Sequence, residues 1–192
     1  DTGTSSWNST SRLVVLDVHD PANITQLASY DLAGEISDSR KVGDIIYLVA
    51  YENGYCWRCN EAPTTTITSI FAGNPEDIEM VDQLQYQSED SSWGRRSIHV
   101  TTERMYVGGR DYNDEHSTIQ VVDISDPAGV LHEGAAVDVA GMIENRWQMS
   151  EHEGVFRVIS QPGWWGSYSA PVVQTFTVNS ANSVTPLGSL QM

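Results

Sequence analysis

An all-β repeat array is the fold class that this 192-residue sequence predicts, and three observations predict it. Short apolar runs rich in β-branched residues recur between Gly, Pro, Asn and Asp clusters, which is how strands separated by turns read. The turn signals return at a nearly constant offset: Pro21 to Pro75 is 54 positions, Pro75 to Pro127 is 52, and Pro127 to Ala181 is 54. Such a period marks a repeat architecture. Each period holds about four strands, the content of one four-stranded antiparallel blade in a β-propeller-like array.

Taken in order, residues 1–11 are rich in Ser, Thr and Gly and read as a linker or arm. Leu13 to Val18 is apolar on both faces, as a strand covered on both sides is. Asp20-Pro21 stops it, because proline lacks the N–H that a sheet ladder needs and Asp readily starts a turn. Ile24–Leu32 and Ile36–Val42 follow on either side of Gly34, then a Gly43-Asp44 hairpin signal and the doubly apolar strand Ile45–Tyr51.

The second unit repeats this more weakly, with Thr66–Phe71, Asn74-Pro75, Leu84–Tyr86, Ile98–Val100 and Met105–Val107. Asn74 followed by Pro75, Glu76 and Asp77 also matches a helix start. The strand reading is preferred, because Ile78, Val81 and Leu84 align with Ile24, Leu27 and Tyr30. The third unit runs through Ile119–Ile124, Asp126-Pro127 and an alternating stretch ending at Val139. Beyond Gly141 come the apolar pair Met142-Ile143, an acidic turn from Glu151 to Gly154, and the strand Val155–Ile159. A fourth unit starts at Val172 and reaches Leu190.

The expected repeats are therefore 12–63, 64–116, 117–170 and an incomplete 171–192, about three and a half units of roughly 53 residues. Four or more blades usually close a propeller, so the chain is expected to be a fragment of a larger ring or to close with another chain. Open blade edges would then support self-association.

Lys and Arg total 10 against 26 Asp and Glu, a formal net charge of −16. That charge repels phosphate backbones and anionic membranes, so nucleic acid is not an expected partner. It suits cations, basic partners or a saline exterior, and acidic charge is also a plain solvation device. No apolar run reaches the roughly 20 residues of a membrane span. The chain starts at Asp1, and any export signal or anchor is expected upstream.

The run Gly141-Met-Ile-Glu-Asn-Arg-Trp-Gln-Met-Ser-Glu-His-Glu-Gly-Val-Phe-Arg-Val-Ile resembles a signature of secreted bacterial and archaeal proteins with a C-terminal β-propeller domain, distant relatives of the WD-repeat propellers. In that family a Gly is followed by an Asn, an aromatic, a Met, an acidic pair around a Gly and an Arg-Val strand. Leu13 to Tyr51 looks like an earlier blade of the same domain, and the likeness spans about Ser11 to Pro162. Arg146-Trp147 departs from the family's usual Gln-Phe, keeping the aromatic and changing its neighbour. The resemblance implies a propeller on exported or cell-surface proteins and brings no catalytic residues.

Several groups are candidates for chemistry. Cys56-Trp57-Arg58-Cys59 sits in a loop between blades, where a disulfide staple is the leading reading; a redox pair, a shared metal site and free thiols are the alternatives. The five histidines are scattered, with no H-E-x-x-H pattern, and His152 lies in the acidic turn. Asp111, Asn113 and Glu115 alternate as calcium ligands do in loops, but without the Gly and distal Glu of an EF-hand, so a solvated loop is the competing reading. Asn8-Ser9-Thr10 and Asn23-Ile24-Thr25 match glycosylation sequons.

Trp57, Trp93, Trp164, Trp165 and Tyr168 fall in inter-blade loops. They are placed to stack on a sugar or on a partner's apolar side chains, or else to plug gaps between blades. The functional expectation is a non-catalytic binding or scaffolding module that meets protein or glycan partners through these loops. The rival from another class is an exported metal-dependent hydrolase or lyase with its site in the propeller channel.

Overall fold

A computed structural model of the chain describes residues 10–52, 63–87, 96–109, 116–164 and 167–192. The first sheet pairs β1 (Thr10–Asp17) with β2 (Thr25–Ala33). The second is a meander of β3 (Glu35–Val42), β4 (Ile45–Glu52), β5 (Thr64–Phe71) and β6 (Glu79–Gln87). The third repeats it with β7 (Ser97–Val100), β8 (Arg104–Gly108), β9 (Ser117–Asp123) and β10 (His132–Val139). The fourth opens with a 3-10 turn, Arg146–Gln148, and continues through β11 (Met149–His152) and β12 (Val155–Ser160). A small hairpin, β13 (Gly163–Trp164) and β14 (Ser167–Tyr168), is inserted before β15 (Val172–Ser180) and β16 (Ser183–Gln191) complete that sheet. Among the described residues, every pairing between neighbouring strands is antiparallel.

The turns that carry the sequence period share one chemistry. The side chains of Asp20, Asn74 and Asp126 accept from the backbone N–H two residues on, Ala22 at 3.0 Å, Glu76 at 3.1 Å and Ala128 at 2.8 Å. In each the leading carbonyl also accepts from the residue three on, Asn23, Asp77 or Gly129. The side chain thus mimics a backbone turn. Asn74 closes one turn and starts no helix, and β6 begins at Glu79.

Successive side chains on a strand point to opposite faces, so an inner sheet must bury both. In β4, Ile46 and Leu48 pack toward Leu32, Leu13 and Tyr30 of the first sheet. Ile45, Tyr47 and Val49 pack toward Ile98, Met105 and Val107 of the third. In β8 and β9, Tyr106, Ile119 and Val121 turn the other way, onto Phe156, Val158 and Phe176 of the fourth. One apolar core therefore lies between each pair of adjacent sheets, and β4 is apolar on both faces as its sequence requires.

Four details differ from the sequence reading. The sheets cut the repeat at another point: residues 12–63 give β1 and β2 to one sheet and β3 and β4 to the next, while 171–192 completes a four-stranded sheet. A four-strand period looks the same whichever strand it is counted from, and Gly34 decides the cut. Its φ of +83° turns the chain out of the first sheet, and a Cβ there would lie 2.7 Å from the Tyr51 carbonyl oxygen. Next, β1 buries only one face, leaving Val14 and Leu16 exposed, because no described sheet packs beyond it. Ser11 also belongs to β1 rather than to the linker: its Oγ donates to Gly34 O at 2.9 Å and accepts from Ile36 N at 3.1 Å. Finally, Glu151 lies in β11, and the turn is the pair Glu153-Gly154, both at positive φ.

Gly141 shows how tightly β10 is led into the fourth sheet. Met142 and Gln161 exchange two backbone hydrogen bonds of 3.0 Å beside it, and a Cβ on Gly141 would stand 2.3 Å from the Gln161 carbonyl carbon. That obstacle is backbone and does not rotate away. Gly141→Ala is expected to cost about 3 kcal/mol or more, the upper end for overpacking, read as a lowered midpoint in denaturant unfolding.

Candidate functional site

In an antiparallel meander the connections alternate between the two ends of the strands. At one end the turns are tight: Gly43-Asp44, the Asx turns and Glu153-Gly154. At the other end lie the longer connections 53–63, 88–96, 109–116, 140–148 and 161–171. The candidate disulfide, metal and aromatic binding residues of the sequence all fall in connections that join strand ends of this second rim. Cys56, Trp57 and Cys59 fall between β4 and β5, Trp93 between β6 and β7, Asp111, Asn113 and Glu115 between β8 and β9, and Trp164, Trp165 and Tyr168 between β12 and β15. All of these except Trp164 and Tyr168 lie outside the described residues. Tyr168 is 50% exposed on the β13–β14 hairpin, where Ser169 N donates to Pro162 O at 3.1 Å.

The same rim carries a further aromatic, beyond the candidate binding residues of the sequence. Trp147 is 80% exposed, the most exposed large apolar residue described. Its backbone is nevertheless fixed by a capping box. Asn145 Oδ1 accepts from Trp147 N at 3.0 Å, and Gln148 Oε1 accepts from Glu144 N at 2.8 Å and Asn145 N at 3.1 Å. Gln148 Nε2 donates to Ile159 O at 2.8 Å, tying the turn to β12. The Arg146 guanidinium stands 4.6 Å from the indole centroid, within cation–π range, and 3.9 Å from Asp38 of β3. The sequence signal was present as Asn145 three residues before Gln148.

A second cluster clasps the third sheet to the fourth near the tight turns. Arg104 grips Glu151 with Nε at 3.2 Å and a terminal nitrogen at 2.7 Å, and the Tyr106 hydroxyl donates to Glu151 Oε2 at 2.6 Å. Their side chains are 16% and 6% exposed for Arg104 and Glu151. His99 Nε2 accepts the Glu151 backbone N–H at 3.1 Å. Beneath them Tyr106 stacks on Phe156 at 4.1 Å between centroids. Burial pushes the Glu151 carboxyl up, but the bonds from Arg104 and Tyr106 and the charge of Arg104 outweigh it, holding it below the ordinary range. Burial and the bond to Glu151 push the Tyr106 hydroxyl up, so it stays a donor. Among the described residues no three His, Cys, Asp or Glu side chains gather as a metal-binding group.

The repeat gives this clasp a built-in comparison. Cross-strand pairing sets Arg40 opposite Tyr47 and His99 opposite Tyr106, so Ile45 of β4 occupies the place of Arg104. Likewise Lys41 opposite Ile46, Val100 opposite Met105 and Glu151 opposite Phe156 are equivalent. Between the second and third sheets the clasp positions are thus Ile45 and Val100, which share an apolar core. Between the third and fourth they are Arg104 and Glu151.

The inner strands also converge. Asp38 of β3 reaches Arg146 at the entry to the fourth sheet, and the Arg40 charge is felt at His99 of β7. Four-stranded meanders stacked face to face, with inner edges drawn together, define a propeller-type array. The chain belongs to the family described as Beta propeller domain, whose model matches residues 2–92 and again 77–192. No curated protein sequence matches it.

Glu151→Gln alone removes the buried carboxylate from Arg104, whose other terminal nitrogen keeps Glu103 at 3.0 Å, and is expected to cost about 3 kcal/mol, the lower end for a broken buried pair. The double change Arg104→Ile with Glu151→Val restores the apolar pair of the neighbouring seam and is expected to lie within about 1 kcal/mol of the parent or above it. Denaturant unfolding of both variants measures the difference.

Proposed function

We propose that this chain is a non-catalytic binding or scaffolding module of an exported or cell-surface protein, and that it meets protein or glycan partners through the rim of long connections. The observation that carries this reading is Trp147, an indole held out in water by a turn with both capping bonds made. A tryptophan removes 150–250 Å² from water when covered. Fixing it beforehand lowers the ordering cost that a partner would otherwise meet. Tyr168 stands on the same rim, and the connections carrying Trp57, Trp93 and Trp165 join its strand ends. The net charge of −16 draws cationic surfaces toward the module and repels nucleic acid.

Self-association is the second part of the proposal. Val14, Leu16 and Leu27 lie exposed on the open side of the first sheet, and Ile159 and Leu190 on that of the fourth. Two such faces repeat the packing that joins the sheets to one another.

A photo-reactive residue placed at position 147 is expected to cross-link a partner on source cells, and one at position 76 on the tight-turn rim is not. Cross-links from position 76 alone, or from neither position, would sink the rim proposal. Sedimentation tests the other part: concentration-dependent association is expected for the parent chain and is lost in Leu16→Asp. A monomer at all concentrations removes that part of the reading.

A further inference from the structure

We propose that the seam between the third and fourth sheets carries an acid-sensitive latch, fastened by the His99 side chain of β7 on the backbone of Glu151 of β11. The bond from Glu151 N to His99 Nε2, 3.1 Å long, joins two sheets rather than two strands of one sheet. An imidazole nitrogen accepts a hydrogen bond only while it carries no proton. Protonation therefore turns the fastening acceptor into a donor that faces another donor, and the Glu151 N–H loses its partner.

The surroundings decide when this happens. From β8 the Tyr106 ring lies 6.1 Å away, with Arg104 next to it. From β11 comes the Glu151 carboxylate, from β3 the Arg40 guanidinium held by Asp38 at 2.7 Å, and from the 3-10 turn Arg146, which leans on the same Asp38. Burial disfavours the imidazolium and Arg40 adds to this, while the Glu151 carboxylate opposes both; the balance leaves His99 below its ordinary value of 6.5. The unfolded chain thus takes up the proton first. The His99 contribution is complete above about pH 6.5 and is lost as pH falls through the lower folded value.

The Glu151 carboxyl is itself held below the ordinary carboxylate value of 4.5, against burial, by the bonds from Arg104 and Tyr106. The grip of Arg104 and Tyr106 on the Glu151 carboxylate does not run through His99, so His99 lets go while that grip holds. The seam then loosens at β7 without the fourth sheet leaving the array.

The test follows amide exchange by NMR in the full chain as pH is lowered from about 7.5 until the His99 imidazole, titrated in the same samples, is protonated, with correction for intrinsic exchange. Protection of the Glu151 amide is expected to drop about tenfold or more in step with His99 protonation, while the amides of the β12–β15 ladder keep theirs. His99→Gln, which retains an acceptor oxygen and does not titrate, is expected to hold Glu151 protection level across the range. Glu151 protection that stays flat while wild-type His99 titrates overturns the latch. So does a His99→Gln chain that shows the same loss as the parent.

Discussion

Everything in this molecule depends on the requirement that an inner sheet bury both of its faces. A lone four-stranded meander with Ile45, Ile46, Tyr47, Leu48 and Val49 on one strand has no solvated side to offer. It is stable only between two neighbours. The three cores follow from this, one in each gap between sheets, and so does the contrast between the buried strands of the middle and the half-exposed β1. The strand ends alone are free of the stacking rule.

Apolar stacking alone does not tell one seam from another, because one Ile-rich face fits the next almost equally well. The Arg104–Glu151–Tyr106 clasp makes the last seam chemically distinct from the preceding one, where Ile45 and Val100 stand. A buried ion pair contributes little net stability over an apolar pair of the same size. What it adds is a penalty for any other partner, since a displaced neighbour would leave the buried Glu151 carboxylate without its counter-charge.

Much of this was legible in the sequence because it is local. The Asx turns at Asp20, Asn74 and Asp126 depend on side chains bonding two residues along the chain, and the doubly apolar β4 shows its burial in its own residues. The phase of the sheets was not legible, since pairing β4 with β5 rather than β2 with β3 is a long-range choice that the period leaves open. Nor was the clasp, whose partners lie 47 positions apart and meet only once two sheets have stacked. Glu151 read as a solvated turn residue because two carboxylates in the run Glu-His-Glu look alike until one is buried. Trp147 stands in the sequence only as the aromatic of a familiar signature, and the geometry of its capped turn shows that it faces outward.

The meander connectivity has a kinetic consequence. Along the second, third and fourth sheets each strand pairs with the one before it in the chain, β13 and β14 forming only a small hairpin between β12 and β15. Each pairing in these sheets then closes over a single connection rather than a crossover, the shortest-range topology open to an all-β array. Hairpins closed by the Asx turns are natural starting points, and each finished sheet becomes the template on which the next condenses. Growth of this kind proceeds in one dimension, like beads added to a string, and a blade late in the order inherits its orientation from the blade already in place.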